Sequence, residues 1–251
     1  MPRPITQPWR FWGVLVTEQL DRRADVTRLQ ILQAAARQFA HKPYSAVSLD
    51  DILADAAVTK GALYFHFRSK YALASSIIDN RAERARERVN EVLARNLSAM
   101  ETLVDISYQL AVDDIGDTMS RAAGNLLESI GRTDRLGPQV LAPWISGYAT
   151  IVRRAVDEGD FTDGTDPQVA AMLLVSMQLG IRQTSDLDDP QRFLTDLERA
   201  WKLVLPGLAN PDRLGYLAQF IRRRTTVALK KAAPIKPAGP RHNADPATGP
   251  A

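Results

Sequence analysis

The segment from Val26 to Lys70 limits the possible folds more than any other part of this chain. Ile31, Ala35 and Phe39 recur at i, i+4 and i+8, which is one apolar stripe of a helix over 26–40. The run His41-Lys42-Pro43-Tyr44 breaks that helix. Ser48 begins a second one, with Asp51 three residues on as a carboxylate form of the capping box. Ile52 and Leu53 face inward there, and Ala56-Ala57 close it. Thr59 is placed to cap a third helix reaching Phe67, and Ser69 to cap a fourth that extends to Leu93. Short helices this closely spaced, two of them joined by a tight turn, make a helix-turn-helix unit.

Helical spacing continues through the rest of the 251 residues, and no Val-Ile-Thr alternation bounded by turns interrupts it. Turn signals divide that stretch into helices over 98–113, 117–132, 139–158, 167–185, 190–204 and 211–231, with Gly159-Asp160, Thr162-Asp163-Gly164 and Pro206-Gly207 as punctuation. The expectation is an all-α protein in four parts. Residues 1–21 form an extension holding Pro2, Pro4 and Pro8. Residues 22–70 form the helix-turn-helix domain and 71–231 a larger helical domain. Residues 232–251 form a disordered basic tail.

Charge separates these parts. The formal net charge is only +3, yet residues 22–70 carry +4, residues 71–221 carry −7 and residues 222–251 carry +6. A basic module ahead of an acidic body points to nucleic acid as the partner of the module. There is no cysteine, which excludes a disulfide scaffold, a thiol nucleophile and a thiolate zinc site. The histidines, His41, His66 and His242, are too far apart for a local metal pair, and no cofactor is expected. No apolar run is long enough to span a membrane and the N-terminus does not read as a secretory signal, so a cytoplasmic location is expected.

In a helix-turn-helix the second helix lies in the major groove and its first turn reaches base edges. Here that turn offers the hydroxyl of Thr59, the cation of Lys60 and the bare backbone of Gly61. Lys60 can donate to guanine or to a phosphate. Gly61 allows close approach, at a helix cost of about 1 kcal/mol against alanine. Tyr64, His66 and Lys70 carry polar ends suited to phosphate oxygens, and Ser48 with the free amides beside it can clamp another phosphate. Leu63 and Phe67 are expected to pack on the first helix. Arg22 and Arg23 are candidates for a minor-groove contact.

The stretch Leu49–Lys70, with Leu63-Tyr64-Phe65-His66-Phe67 followed by Ser69-Lys70, resembles the DNA-binding signature of TetR-family transcriptional repressors. Thr59-Lys60-Gly61 at bases, Tyr64, His66 and Lys70 at phosphates, and Phe65 at the groove edge are what the resemblance implies. Lys60 to Phe67 is similar to the γ-butyrolactone receptor branch, and there to receptors of the methylenomycin-furan type. That likeness implies a homodimer on a palindromic operator, released by a small lactone or furan that controls antibiotic production. It also implies a ligand cavity in the C-terminal helices with a tryptophan in its wall. Trp144 and Tyr148, four apart on one helix face, are the candidates, with Gln109, Leu110, Leu127, Met177 and Gln178 from other helices. The helices near 139–158 and 167–185 carry apolar residues on more than one face, enough for a core and a two-fold mate.

Three other readings remain open at this stage. A TetR-type repressor of an efflux pump would sense a hydrophobic drug in the same cavity. A non-specific DNA binder would use Arg222-Arg223-Arg224 and Lys230-Lys231. An enzyme would need a catalytic constellation, and the acidic pairs Asp113-Asp114 and Asp188-Asp189 read instead as solvated helix caps.

Overall fold

A computed structural model describes residues 10–235, with side chains described from Ala24 onward except that of Asp134. Among the described residues the architecture is all-α: ten α-helices, three 3-10 turns and one isolated β-bridge between Phe161 and Ala209. The helices are α1 (Arg10–His41), α2 (Leu49–Ala56), α3 (Lys60–His66), α4 (Lys70–Leu93), α5 (Ala99–Gly116), α6 (Thr118–Ile130), α7 (Leu136–Asp157), α8 (Pro167–Thr184), α9 (Pro190–Leu208) and α10 (Leu214–Lys231).

The local signals act as expected. Ser48 Oγ accepts from the Asp51 amide while Asp51 returns a bond to the Ser48 amide, which closes the capping box of α2. Thr59 caps α3 through the Ala62 amide, and Ser69 caps α4 through the Ala72 amide. Two boundaries differ from the sequence reading by more than three residues. The first helix is already formed at Arg10, the first described residue, instead of starting at Val26, and no proline interrupts it before Pro43. Pro206 does not end α9, which runs on to Leu208. A proline so near a helix C-terminus frees one carbonyl but leaves the last turn closed, here by the Ala209 amide on Leu205 O.

Two apolar clusters organise the chain. In the first, Ile31, Ala35 and Phe39 of α1, Ile52 of α2, and Leu63 and Phe67 at α3 meet Leu73 and Ile77 of α4. This cluster does not close within residues 22–70, since Met119, Ala122, Leu126 and Ile130 of α6 complete it and α1 packs extensively on α6. The second cluster joins α5 and α7–α10 around Trp201, Tyr108, Phe161 and Phe193, all of them buried. Helices α4 and α6 stand between the two, so the head and the body share structural members. The beginning of the tail also returns to the body, with the Ile235 amide donating to Ile115 O at 3.3 Å. The rest of the tail, residues 236–251, lies outside the described residues, as do the side chains of Arg22 and Arg23. No helix among the described residues is long and apolar enough to cross a membrane.

Candidate functional site

The face of the head is built by α2, the turn at Ala57 and α3. Ala57 holds a left-handed backbone, φ 53°, which turns the chain sharply enough to set α3 against α1. Arg37 and Gln38 of α1 bind Asp55, at 3.0 Å from Arg37 Nη2 and 2.9 Å from Gln38 Nε2, and so fix α2. With Leu63 and Phe67 buried, the opposite side of α3 points outward. Thr59, Lys60 and Gly61 are exposed, Tyr64 is 46% exposed and Phe65 is 79% exposed, while His66 is half-buried. A phenylalanine this open is not held by the core, and its ring meets His66 edge to face with centroids 5.0 Å apart. A Cβ at Gly61 would meet only Thr59 Oγ1, at 4.0 Å, so nothing inside the protein requires a glycine there.

Two of the residues expected at phosphates, Lys70 and Ser48, make bonds within the head. The ammonium of Lys70 donates to the carbonyls of Tyr44 and Val47, both at 2.8 Å, and lies 4.1 Å from the centroid of the Tyr44 ring. It ties the start of α4 to the loop after α1. Ser48 Oγ donates to Asp51 at 2.7 Å, and Asp50 and Asp51 put two carboxylates in the first turn of α2. Those carboxylates oppose the attraction of the helix N-terminus for an anion.

Behind the head, α4–α8 line a cavity of about 130 Å³ that is partly open to solvent. Five of the seven residues expected to line it do so: Leu110, Leu127, Trp144, Tyr148 and Gln178. Gln109 and Met177 do not. Each is adjacent to a residue that does, and neighbours on a helix point about 100° apart. Gln109 turns to Asp113, donating at 3.3 Å, and Met177 packs against the body core. Gln178 has the partner a half-buried amide needs, since Ser107 Oγ donates to its Oε1 at 2.5 Å and in turn accepts from Trp201 Nε1 at 3.1 Å. Burial pushes the Tyr148 hydroxyl well above its usual pKa, so it stays a neutral phenol.

None of the charged residues of this cavity was assigned to it from the sequence. Arg81, Asp114 and Arg182 line it, from α4, α5 and α8. Asp114 is 6% exposed, so the reading of Asp113-Asp114 as solvated caps is corrected, because α5 continues to Gly116 and carries Asp114 inside. Burial raises the Asp114 pKa, opposed by Arg81 and Arg182. Of the other pair, Asp189 does cap α9, while Asp188 pairs with the buried Arg121. Arg182 reaches further. Its Nη2 donates to Asn125 Oδ1 at 2.9 Å, and Asn125 Nδ2 donates to the carbonyls of Phe39 and Ala40, at 3.0 and 3.1 Å. Those carbonyls end α1, so the cavity wall and the head are joined by one line of hydrogen bonds. Partners 57 and 86 residues apart left no local signal of this line.

Comparison with known proteins matches this arrangement. Residues 31–77 fit the family described as bacterial regulatory proteins, tetR family. The A-factor receptor protein of Streptomyces griseus is 31% identical over 196 residues, which is 78% of this chain and 68% of that protein. A crystal structure of a γ-butyrolactone receptor (ArpA-like protein) matches with a TM-score of 0.71 and 27% identity, over 82% of this chain and 99% of that one. CprB from Streptomyces coelicolor, solved in complex with its biological operator sequence, matches with a TM-score of 0.68 and 25% identity, over 82% and 99% of the two chains. The chain belongs to the tetR family of bacterial regulatory proteins and is a transcriptional regulator, not an enzyme. Within that family it resembles the γ-butyrolactone receptors.

Proposed function

We propose that this protein is a repressor that binds a palindromic operator as a homodimer and lets go when a small signalling molecule of the γ-butyrolactone or furan type fills the cavity, and that the genes it controls serve antibiotic production. The observation that carries the reading is the line Arg182–Asn125–Phe39/Ala40, in which one guanidinium belongs to the cavity wall and also steadies the end of α1. Likeness to receptors named for butyrolactones and A-factor, and to a relative solved on its operator, supports it.

On this reading Thr59, Lys60 and Gly61 face bases, Tyr64 and His66 phosphates, and Phe65 the groove edge. Lys70 acts behind them. The dimer face falls on α8 and α9. Val169, Met172 and Leu173 leave an exposed apolar stripe on α8, and Leu203 is 83% exposed on α9, whereas α7 exposes no large apolar side chain. Two α3 helices on a two-fold pair would meet half-sites about 34–36 Å apart. Ligand binding must favour the released state, and a thousandfold loss of operator affinity corresponds to about 4 kcal/mol of coupling.

Footprinting on DNA upstream of the protein's own gene tests this directly. One protected palindrome, lost on adding an alkyl-substituted γ-butyrolactone or alkylfuran, is expected. Trp144→Ala should keep the footprint and lose the response. Uniform protection of all DNA would mean a coating protein and would end the proposal.

A further inference from the structure

The residues that follow α10 do not simply leave the protein. Ala232 ends the helix with an extended backbone, ψ 117°, while its amide still closes on Ala228 O at 2.8 Å. Pro234 has no amide of its own and disfavours helical geometry at Ala233, so the helix does not resume. Ala232 packs on the body cluster and Ile235 on the head cluster, and the Ile235 amide donates to Ile115 O at 3.3 Å. Residues 232–235 therefore pass from one core to the other.

Beneath them lies the turn between α5 and α6. Among the described glycines only Gly159 has a positive φ, so the backbone at Gly116 does not call for glycine. Space does. A Cβ there would lie 2.9 Å from the carbonyl oxygen of Ala233, too close unless one of them moves. The neighbours of Gly116 are joints of the molecule. Asp114 lines the cavity, and Ile115 O also accepts from Arg121 Nη2 at 3.0 Å. Asp117 caps α6 through the Ser120 amide and lies 4.0 Å from Arg84 of α4. Helix α6 in turn completes the head core.

We propose that residues 232–235 are a latch. Seated on the α5–α6 turn, they hold α6 and the head against the body in the arrangement that grips the operator. Unseated, they let that joint loosen and operator affinity falls. Whatever displaces the chain after α10 then acts on the head without entering the cavity. The control role rests on the repressor reading above, and the seat itself does not.

Thermal melts test the seat. The atoms nearest to a Cβ at Gly116 all belong to Ala233, so a chain ending at Ala232 leaves nothing to collide with. Gly116→Ala should therefore cost the full chain about 2–4 °C of Tm relative to its effect in that shortened chain. Gel shifts on the palindrome found by footprinting test the control. The chain ending at Ala232 should bind about tenfold more weakly than the full chain, and Ile235→Ala, which changes no charge, should weaken binding in the same direction. A chain ending at Pro237 keeps the latch and should bind as the full chain does; residues 238–251 hold one arginine and one aspartate, so this trim leaves the formal net charge unaltered. Equal effects of Gly116→Ala in the two backgrounds would mean that nothing is seated and would overturn the proposal. Full operator affinity in the chain ending at Ala232, or an equal loss in the chain ending at Pro237, would overturn it too. If the full chain prefers no DNA site, the repressor reading fails and the control role with it, while the melts still decide the seat.

Discussion

Replacing Lys70 with methionine sets an internal strut against a phosphate contact. Lys70 donates two charge-assisted hydrogen bonds, to Tyr44 O and Val47 O, and stacks its ammonium on the Tyr44 ring. Methionine keeps the apolar stem and removes the donors. A hydrogen bond to a charged group contributes about 1.5–3 kcal/mol. The acceptor loop is partly open, so water recovers a share of each bond and the lower end of that range applies, discounted by about a third. The sum is a loss of about 2 kcal/mol, with about 0.5 kcal/mol more from the lost cation–π contact. For a chain of this size each kcal/mol moves Tm by about 2–4 °C, so a fall of about 5–10 °C is expected. Circular dichroism melts give that number, and operator titrations at several salt concentrations complete the test. A strut leaves the salt slope of binding unchanged, whereas a lost phosphate contact lowers it by about one unit. An unchanged Tm with a shallower slope would refute the strut.

Gly61→Ala should raise helix stability by about 1 kcal/mol, because the added Cβ meets nothing in the protein, and should still lower operator affinity about tenfold; full affinity in a gel shift would remove Gly61 from the DNA face. Ala57→Gly should stabilise the fold by about 0.5–1 kcal/mol in urea, the relief of a left-handed alanine less the entropy of glycine in the unfolded chain, and a loss of stability would contradict this. Asn125→Ala should lower stability by about 1–2 kcal/mol through the bonds it makes to Phe39 O, Ala40 O and Arg182. In the same variant, the ratio of operator affinities with and without a bound probe should shrink, and an unchanged ratio would take Asn125 off the route between cavity and head.

Much of the head was legible in the sequence, because the forces that shape it act within about four residues. Ser48 with Asp51, Thr59 with Ala62 and Ser69 with Ala72 are bonds between near neighbours, and the stripe Ile31-Ala35-Phe39 needs only helical periodicity to show its inner face. Trp144 and Tyr148 were sought because the family resemblance implies a cavity with a tryptophan in its wall, and Leu110, Leu127 and Gln178 because they lie at core-like positions on the other helices. What periodicity does not determine is the fine rotation of a helix against its neighbours, and Gln109 and Met177 missed the cavity for that reason.

The sequence by itself determined where most helices begin and end, which face of each is buried and which short helix is free to meet DNA, because those follow from backbone capping and from the 3.6-residue turn. Tertiary structure alone decided what the charges do. Lys70 became a strut, Asp114 went inside between two arginines, and Asn125 joined a cavity wall to the end of α1. A side chain's partners across scores of residues depend on how whole helices are oriented in space, and the Coulomb and hydrogen-bond terms that result are set by distances of a few tenths of an ångström.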